Sequence, residues 1–152
     1  MGITTRYRET TNLLAAAAAL LCLTSLPVHA AKAAELFAKM QPVVQQGKKI
    51  FMQPTFGGNG KACNSCHRNG GVGPGALPDG TPLPSLSNAA AIFPRFNRKG
   101  RLTTLEDQVR NCVAGAIEAT PPAYDSDEMR LLVVYLTSLS QGKAIDMGGK
   151  PH

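Results

Sequence analysis

The stretch Cys63-Asn64-Ser65-Cys66-His67 decides the fold of this 152-residue chain. Two thiols three positions apart, followed at once by a histidine, form the attachment pattern of a c-type haem. Each thiol can add across one vinyl group of the same porphyrin, and the adjacent histidine then lies beneath the iron as its proximal ligand. The pattern therefore predicts one covalent haem c, held by Cys63, Cys66 and His67.

Two other kinds of site share part of this pattern: a thioredoxin-type redox pair and half of a zinc site. A redox pair should stand at the end of a strand in a βαβ unit, and the sequence contains no such unit. A zinc site needs further ligands, and beyond residue 30 only Cys112 and the remote His152 remain. Haem attachment therefore explains the stretch better than either alternative.

The residues after the motif favour a chain wrapped around a prosthetic group. Residues 68–100 are rich in Gly and Pro and follow neither a helical nor a strand period. A structureless loop of this length normally counts against the assignment of a compact domain. Here a haem can act as the core around which the loop packs. Trp is absent and only 5% of the residues are aromatic, so a buried haem would also supply apolar volume.

Helices are predicted on both sides of this loop. Residues 35–51 read as a helix interrupted near Pro42, and the half after the proline has the firmer pattern. Thr103 and Thr104 precede Glu106 and Asp107, and this arrangement has the form of a capping box. It opens a second helix, which has one apolar face and ends near Gly115.

A last helix is predicted to start at Asp125 or Ser126, where acidic residues in the first turn suit the positive end of the helix dipole. Gly142 is a plausible C-cap for it. Residues 143–152 are predicted to form a flexible tail. The whole pattern indicates an all-α fold of three to four helices with long loops.

The first thirty residues have the layout of a signal peptide. Arg6 and Arg8 form a basic start, residues 13–26 form an apolar run, and Val28-His29-Ala30 resembles a cleavage site. The run is short for a bilayer span, although an uncleaved anchor is the alternative. We therefore expect a signal peptide over 1–30, export to the periplasm, no membrane span after cleavage, and a cytochrome domain over 31–142.

Removal of residues 1–30 leaves an odd number of cysteines and a basic chain. Cys63, Cys66 and Cys112 remain, so Cys112 needs a role in an oxidising compartment. Lys and Arg still outnumber Asp and Glu, and a basic surface can steer an acidic redox partner. The sequence does not favour nucleic acid as a partner, because no basic stripe with interleaved aromatic residues is present.

The chain resembles class I cytochromes c around the motif. Gly47-Lys48-Lys49-Ile50-Phe51 is similar to the pattern of that family's N-terminal helix, which crosses the C-terminal helix where Tyr135 matches the usual aromatic. Gly73-Pro74 resembles the step whose proline carbonyl orients the proximal histidine. The resemblance implies the class I cytochrome c fold around one covalent haem, with Pro74 holding the second nitrogen of His67.

The sequence alone does not decide which residue is the second axial ligand of the iron. Most class I members use a methionine just before the prolines that precede the last helix, and here that place reads Ala119-Thr120-Pro121-Pro122. Met129, Lys99 and a vacant position are possible. Cys112 is the better candidate, although a lone cysteine on an apolar helix face is more often a small core residue.

A narrower resemblance supports Cys112. Residues 94–129 are similar to thiosulfate dehydrogenases and to the haem protein that carries the active site of the thiosulfate-oxidising Sox complex. That resemblance implies Cys112 as the distal iron ligand, and a thiolate there would lower the reduction potential. Two departures weaken the transfer of activity: this chain has a single haem motif, and Gln108 stands where the Sox haem protein has a catalytic arginine.

Basic residues after the loop have two interpretations. Arg95 and Arg98, with Lys99 and Arg101, could hold haem propionates or an anionic substrate, or they could be a solvated basic loop. No residue is assigned as catalytic. The sequence favours an electron-transfer protein over an enzyme that oxidises thiosulfate or related sulfur anions. A haem-based gas or redox sensor is the third alternative.

Overall fold

The computed structural model describes residues 28–152, so nearly all of the expected signal peptide lies outside the described residues. This part of the chain is rich in helix, with one short 3₁₀ turn (Asn69–Gly71) and four two-residue strands. The helices are α1 (Val28–Met52), α2 (Cys63–Cys66), α3 (Ala89–Ile92), α4 (Leu105–Gly115) and α5 (Asp127–Leu139). The strands are β1 (Gly75–Ala76), β2 (Pro82–Leu83), β3 (Arg95–Phe96) and β4 (Leu102–Thr103).

The described chain falls into two compact units, one ending at Lys39 and one that begins at Met40 and ends at His152. The first contributes the N-terminal turns of α1, and every contact discussed below lies within the second. The two hairpins, β1 with β2 and β3 with β4, are both antiparallel. Within residues 28–152, no helix is long and apolar enough to cross a lipid bilayer.

The predicted interruption of the first helix at Pro42 is wrong, because α1 includes that residue. A proline inside a helix removes one i→i−4 hydrogen bond and crowds the preceding turn. The turns on either side keep their own bonds. From Val44 onward the helix is also held by tertiary packing, since Val44 and Phe51 are buried in the core.

Helices α1 and α5 pack very closely at Gly47. A Cβ atom on Gly47 would collide with the carbonyl oxygen of Leu131 and lie 2.8 Å from Cβ of Tyr135. The Tyr135 ring packs on Phe51 at a centroid distance of 5.3 Å. This is the crossing of first and last helices that the cytochrome resemblance implies. The buried residues of the core cluster are Val44, Phe51, Leu132, Tyr135 and Leu136.

The N-terminal caps follow from local sequence. The Thr104 hydroxyl accepts from the amide of Asp107 at 3.2 Å, and the Asp107 carboxylate accepts from the amide of Thr104 at 3.0 Å. This capping box and the end of α4 at Gly115 agree with the prediction. Helix α5 has Ser126 as its N-cap, and its C-cap is Ser140 rather than Gly142. At this end of the helix, the Ser140 hydroxyl accepts a hydrogen bond from the amide of Ala90 at 3.0 Å.

The C-terminal segment 143–152 differs from the flexible tail that we predicted. The amides of Asp146 and Gly148 donate to the carbonyls of Ala91 and Ile92 at 2.8 and 3.0 Å. The buried side chain of Asn88 donates to the carbonyl of Lys150 at 3.1 Å. The tail therefore lies along α3. The sequence did not predict this docking, because the residues that bond to each other are distant in the chain.

The close packing at Gly47 gives a stability prediction. Gly47→Ala should lower the free energy of unfolding by about 1–3 kcal/mol, because the new methyl group must displace the α5 backbone. Gly115→Ala is the matched control, since a Cβ there meets no atom within 4 Å. Ala is favoured over Gly in helices, so the control should be neutral or slightly stabilising.

Thermal unfolding of the haem-loaded chain, followed by far-UV circular dichroism, measures both variants. Equal melting temperatures for the two variants would contradict the close crossing of α1 and α5.

Candidate functional site

A mainly apolar cavity of about 360 Å³ lies beside the Cys63–His67 motif. Helices α1, α2, α4 and α5 and the long loop all contribute to its wall, so no single element forms it. A cavity of this size and lining suits a bulky apolar ligand. Its large apolar side chains are Phe51, Leu77, Leu83, Leu86, Ile92, Phe93, Leu105, Val109, Ile117, Leu132 and Leu136.

Cys63, Cys66 and His67 all line this cavity. The two cysteines begin and end the single turn of α2, and residues three apart on a helix share a face. His67 is the C-cap of that turn, and its amide donates to the carbonyl of Cys63 at 3.0 Å. Both thiols are free. The structure therefore presents two thiols and an imidazole to one apolar space.

His67 has the properties of a neutral imidazole that lacks a partner. Burial lowers the pKa of His67, which favours the uncharged form that metal ions bind. Its Nδ1 atom is buried and forms no hydrogen bond within the described part of the chain. A buried polar atom without a partner is costly, and a neutral imidazole keeps one nitrogen that can bind a metal.

The loop behind His67 passes where the cytochrome resemblance implies, but one predicted bond is not formed. A Cβ atom on Gly75 would collide with the carbonyl oxygen of Cys66, so the loop runs directly against the motif. Pro74 does not line the cavity. Because Nδ1 of His67 is unpaired, the hydrogen bond to the Pro74 carbonyl is absent. The sequence resemblance predicted the path of the loop at Pro74, but it does not determine the direction of the Pro74 carbonyl group.

Cys112 reaches the same cavity from α4. Gln108, one turn earlier on that helix, directs its Nε2 atom at Sγ of Cys112 over 3.4 Å. Burial raises the pKa of Cys112, and the Gln108 hydrogen bond opposes that rise. Burial, aided by the nearby Cys112, also raises the pKa of Cys63 to about 12. Both groups are therefore thiols at neutral pH unless a metal or a reaction takes the proton.

The other candidate ligands lie elsewhere. Met129 is 1% exposed in the core, and neither it nor Lys99 lines the cavity. Lys99 belongs instead to the turn that joins β3 to β4. Among the predicted axial ligands, the cavity wall thus contains His67 and Cys112.

The β3–β4 hairpin contains both arginines predicted to bind the cofactor, but it directs them to different places. Arg95 lines the cavity, where its guanidinium group lies 5.0 Å from the centroid of the Phe93 ring. Arg98 does not reach the cavity and lines a shallow depression on the surface instead. It stands in the turn of the hairpin, because Asn97 accepts from the amides of Lys99 and Arg101 and folds the chain back.

The donor set fits an iron porphyrin. Within the described residues, no group of three or more His, Cys, Asp or Glu is placed to hold a metal ion. A metal here would therefore need ligands from a prosthetic group, and the apolar wall suits a porphyrin. Gln108 was not predicted as a partner of Cys112, although their i, i+4 spacing on one helix is the signal that could have revealed it.

Residues 46–145 match the family model described as the SoxA/TsdA cytochrome c domain. The chain is similar to the thiosulfate dehydrogenase of Stutzerimonas stutzeri, with 29% identity over 66% of this chain and 32% of that protein. It is also similar to the thiosulfate dehydrogenase of Allochromatium vinosum, with 35% identity over 59% of this chain and 32% of that protein. The chain thus spans about a third of the length of these curated relatives.

Two solved structures share the fold. SoxXA from P. pantotrophus superimposes with a TM-score of 0.57 at 24% identity, covering 71% of this chain and 36% of the other. The TsdBA thiosulfate dehydrogenase of Marichromatium purpuratum, in its as-isolated form, gives 0.56 at 17% identity, covering 70% and 24%.

The family match covers most of the chain and confirms two predictions: the all-α, class I type of cytochrome c fold and a covalently bound haem c with its iron. The family match also supports haem-based electron transfer as the general role of the domain. The chain belongs to the SoxA/TsdA cytochrome c domain family.

Proposed function

We propose that this chain is an exported electron-transfer cytochrome with one haem, attached through Cys63 and Cys66 and bound at the iron by His67 and Cys112. The observation that carries the proposal is that all four side chains line one apolar cavity. In attachment, each thiol adds to a vinyl group: sulfur bonds one carbon and the thiol proton goes to the other. No oxidant is consumed in this addition.

His67 and Cys112 would hold the iron, and they would do so from different protonation states. His67, kept neutral by burial, is ready to bind through a lone pair without first losing a proton. Cys112 must lose its proton on binding, since burial otherwise keeps it a thiol. When bound, the haem supplies a one-electron couple, and a thiolate ligand lowers its potential relative to a methionine. The protein's part is to hold the ligands and exclude water.

The domain limits and the location belong to the same proposal. Residues 1–30 act as a signal peptide, residues 31–142 form the cytochrome domain, and the protein works in the periplasm. The basic start and apolar run of the sequence support export. The basic charge of the chain supports an acidic redox partner.

Oxidation of thiosulfate or a related sulfur anion is the second candidate. The partly buried Cys112 thiol in the cavity favours it, together with the relatives that are named thiosulfate dehydrogenases. Joining two thiosulfate ions into tetrathionate releases two electrons, and one haem accepts one. The activity would therefore require a second acceptor, and Gln108 offers a neutral amide rather than a cation to an anion near Cys112.

The distal ligand is tested by Cys112→Met. We expect the ferric wild type to lack the near-infrared charge-transfer band of a methionine ligand and to have a thiolate-type EPR spectrum. The variant should gain that band, with a higher midpoint potential, because a thioether donates less than a thiolate. Met129→Leu is the control and should leave the spectrum unchanged. A methionine-type band in the wild type would sink the thiolate ligand.

The second candidate is tested by adding thiosulfate to the ferric protein, alone and with a second cytochrome present. In our preferred function, thiosulfate leaves the haem oxidised in both mixtures, while dithionite reduces it. Visible absorbance of the ferrous haem gives the result. Reduction by thiosulfate that depends on Cys112 would make the enzyme the better assignment.

A further inference from the structure

The β3–β4 hairpin has two faces of different chemistry. Arg95 and Thr103 form one cross-strand pair, and they face inward: Arg95 lines the cavity and Thr103 is buried. Phe96 and Leu102 form the next pair. Since neighbouring residues of a strand point to opposite faces, this second pair faces outward. Phe96 is 72% exposed and Leu102 is 54% exposed.

Three cations lie in the turn between the two members of this exposed apolar pair. Arg98, Lys99 and Arg101 line a shallow depression beside the hairpin, together with Asn111 of α4. The Asn97 side chain holds the turn by accepting from the amides of Lys99 and Arg101 at 2.9 and 3.1 Å. No ion pair within 4 Å neutralises these cations in the described part of the chain. The segment 93–105 contains no acidic residue.

We propose that the outward face of this hairpin, Phe96 and Leu102 rimmed by Arg98, Lys99 and Arg101, is the docking surface for an acidic redox protein. The inference rests on the proposed electron-transfer function and names the place where the partner sits. An apolar centre with a charged rim is the usual plan of a protein interface. The rim attracts an acidic partner, and burial of the two apolar side chains holds it.

The position of the hairpin gives this surface its role. The inner face contributes Arg95 to the wall of the cavity, and the outer face carries Phe96 one residue later. A partner seated on the outer face is therefore separated from the cavity by the thickness of a single hairpin. Short separation is what electron exchange between two proteins requires.

The test measures electron exchange between the ferrous haem-loaded chain and an acidic plastocyanin by stopped flow. The ferrous haem is oxidised as the cupric copper is reduced. Lys99→Glu with Arg101→Glu should lower the second-order rate constant about tenfold or more at low salt, and high salt should abolish the difference. Phe96→Ser should slow the exchange at every salt concentration. Lys49→Glu with Lys143→Glu is the control, with the same change in net charge.

Binding is read independently of electron transfer by ¹⁵N chemical shifts of the ferrous chain on titration with cuprous plastocyanin. The largest shifts should lie in residues 95–102. Equal rates for the hairpin and control variants, a salt-independent wild type, or shifts elsewhere would overturn the docking surface. Binding to anionic phosphatidylglycerol vesicles through the hairpin, without effect on exchange, would also overturn it. Failure of dithionite to reduce the haem would instead refute the proposed function.

A separate observation concerns Gln108, whose amide faces the sulfur of Cys112 over 3.4 Å. We infer that Gln108 is a positioning residue that raises the reduction potential by hydrogen bonding to the proposed Cys112 ligand. The inference rests on the proposed ligation. A hydrogen bond to a thiolate withdraws electron density from sulfur, so the ligand stabilises ferric iron less.

Gln108→Leu should therefore lower the midpoint potential in a spectroelectrochemical titration and alter the ferric EPR g-values. Gln141→Leu is the matched control, the same substitution at an exposed position away from the cavity and the hairpin. An unchanged potential in Gln108→Leu, when Cys112→Met changes the spectrum, would overturn this role alone. An unchanged spectrum in Cys112→Met would remove the ligand and this role together.

Discussion

The haem motif lies on a helical turn only four residues long, and so short a helix does not hold its shape alone. The two residues between the cysteines fasten it. The Ser65 hydroxyl accepts from the amide of Ala62 at 3.0 Å, and the Asn64 side chain accepts from the amide of Gly70 at 2.9 Å. Because both thiols must reach one porphyrin, the spacing of Cys63 and Cys66 is useful only if this turn is rigid.

The crossing of helices α1 and α5 holds this turn in place. Tyr135 of α5 donates its hydroxyl to the carbonyl of Gly70 at 2.7 Å, so α5 is tied to the same loop that Asn64 holds. Gly47 lets α1 approach α5 closely enough for Phe51 to pack between Tyr135 and His67. The crossing of two helices far apart in the sequence thus sets the position of His67, and loosening it would disturb the cavity wall.

The sequence predicted those features that neighbouring residues decide. The haem motif and the Thr104 cap are local patterns, and both lie in the structure where they were expected. The path of the helix through Pro42 and the docking of the tail on Asn88 depend on tertiary contacts that no local pattern records. Arg98 shows the same limit, because it lies in the turn (97–101) of the β3–β4 hairpin and reaches the surface, while Arg95 on β3 faces the cavity.

Under the proposed function, the hydrogen bond from Gln108 to Cys112 suits a carrier better than an enzyme for a physical reason. A dianionic substrate approaching a thiolate needs positive charge close to the sulfur, and Gln108 supplies only the dipole of a neutral amide. The cations of the cavity wall are Lys61 and Arg95, and no hydrogen bond links either of them to Cys112 in the described residues. A neutral donor facing a thiolate changes its electron donation without attracting an anion to it. In the proposed function this is what an electron carrier requires: an iron centre with a tuned potential, behind a surface that admits a partner protein.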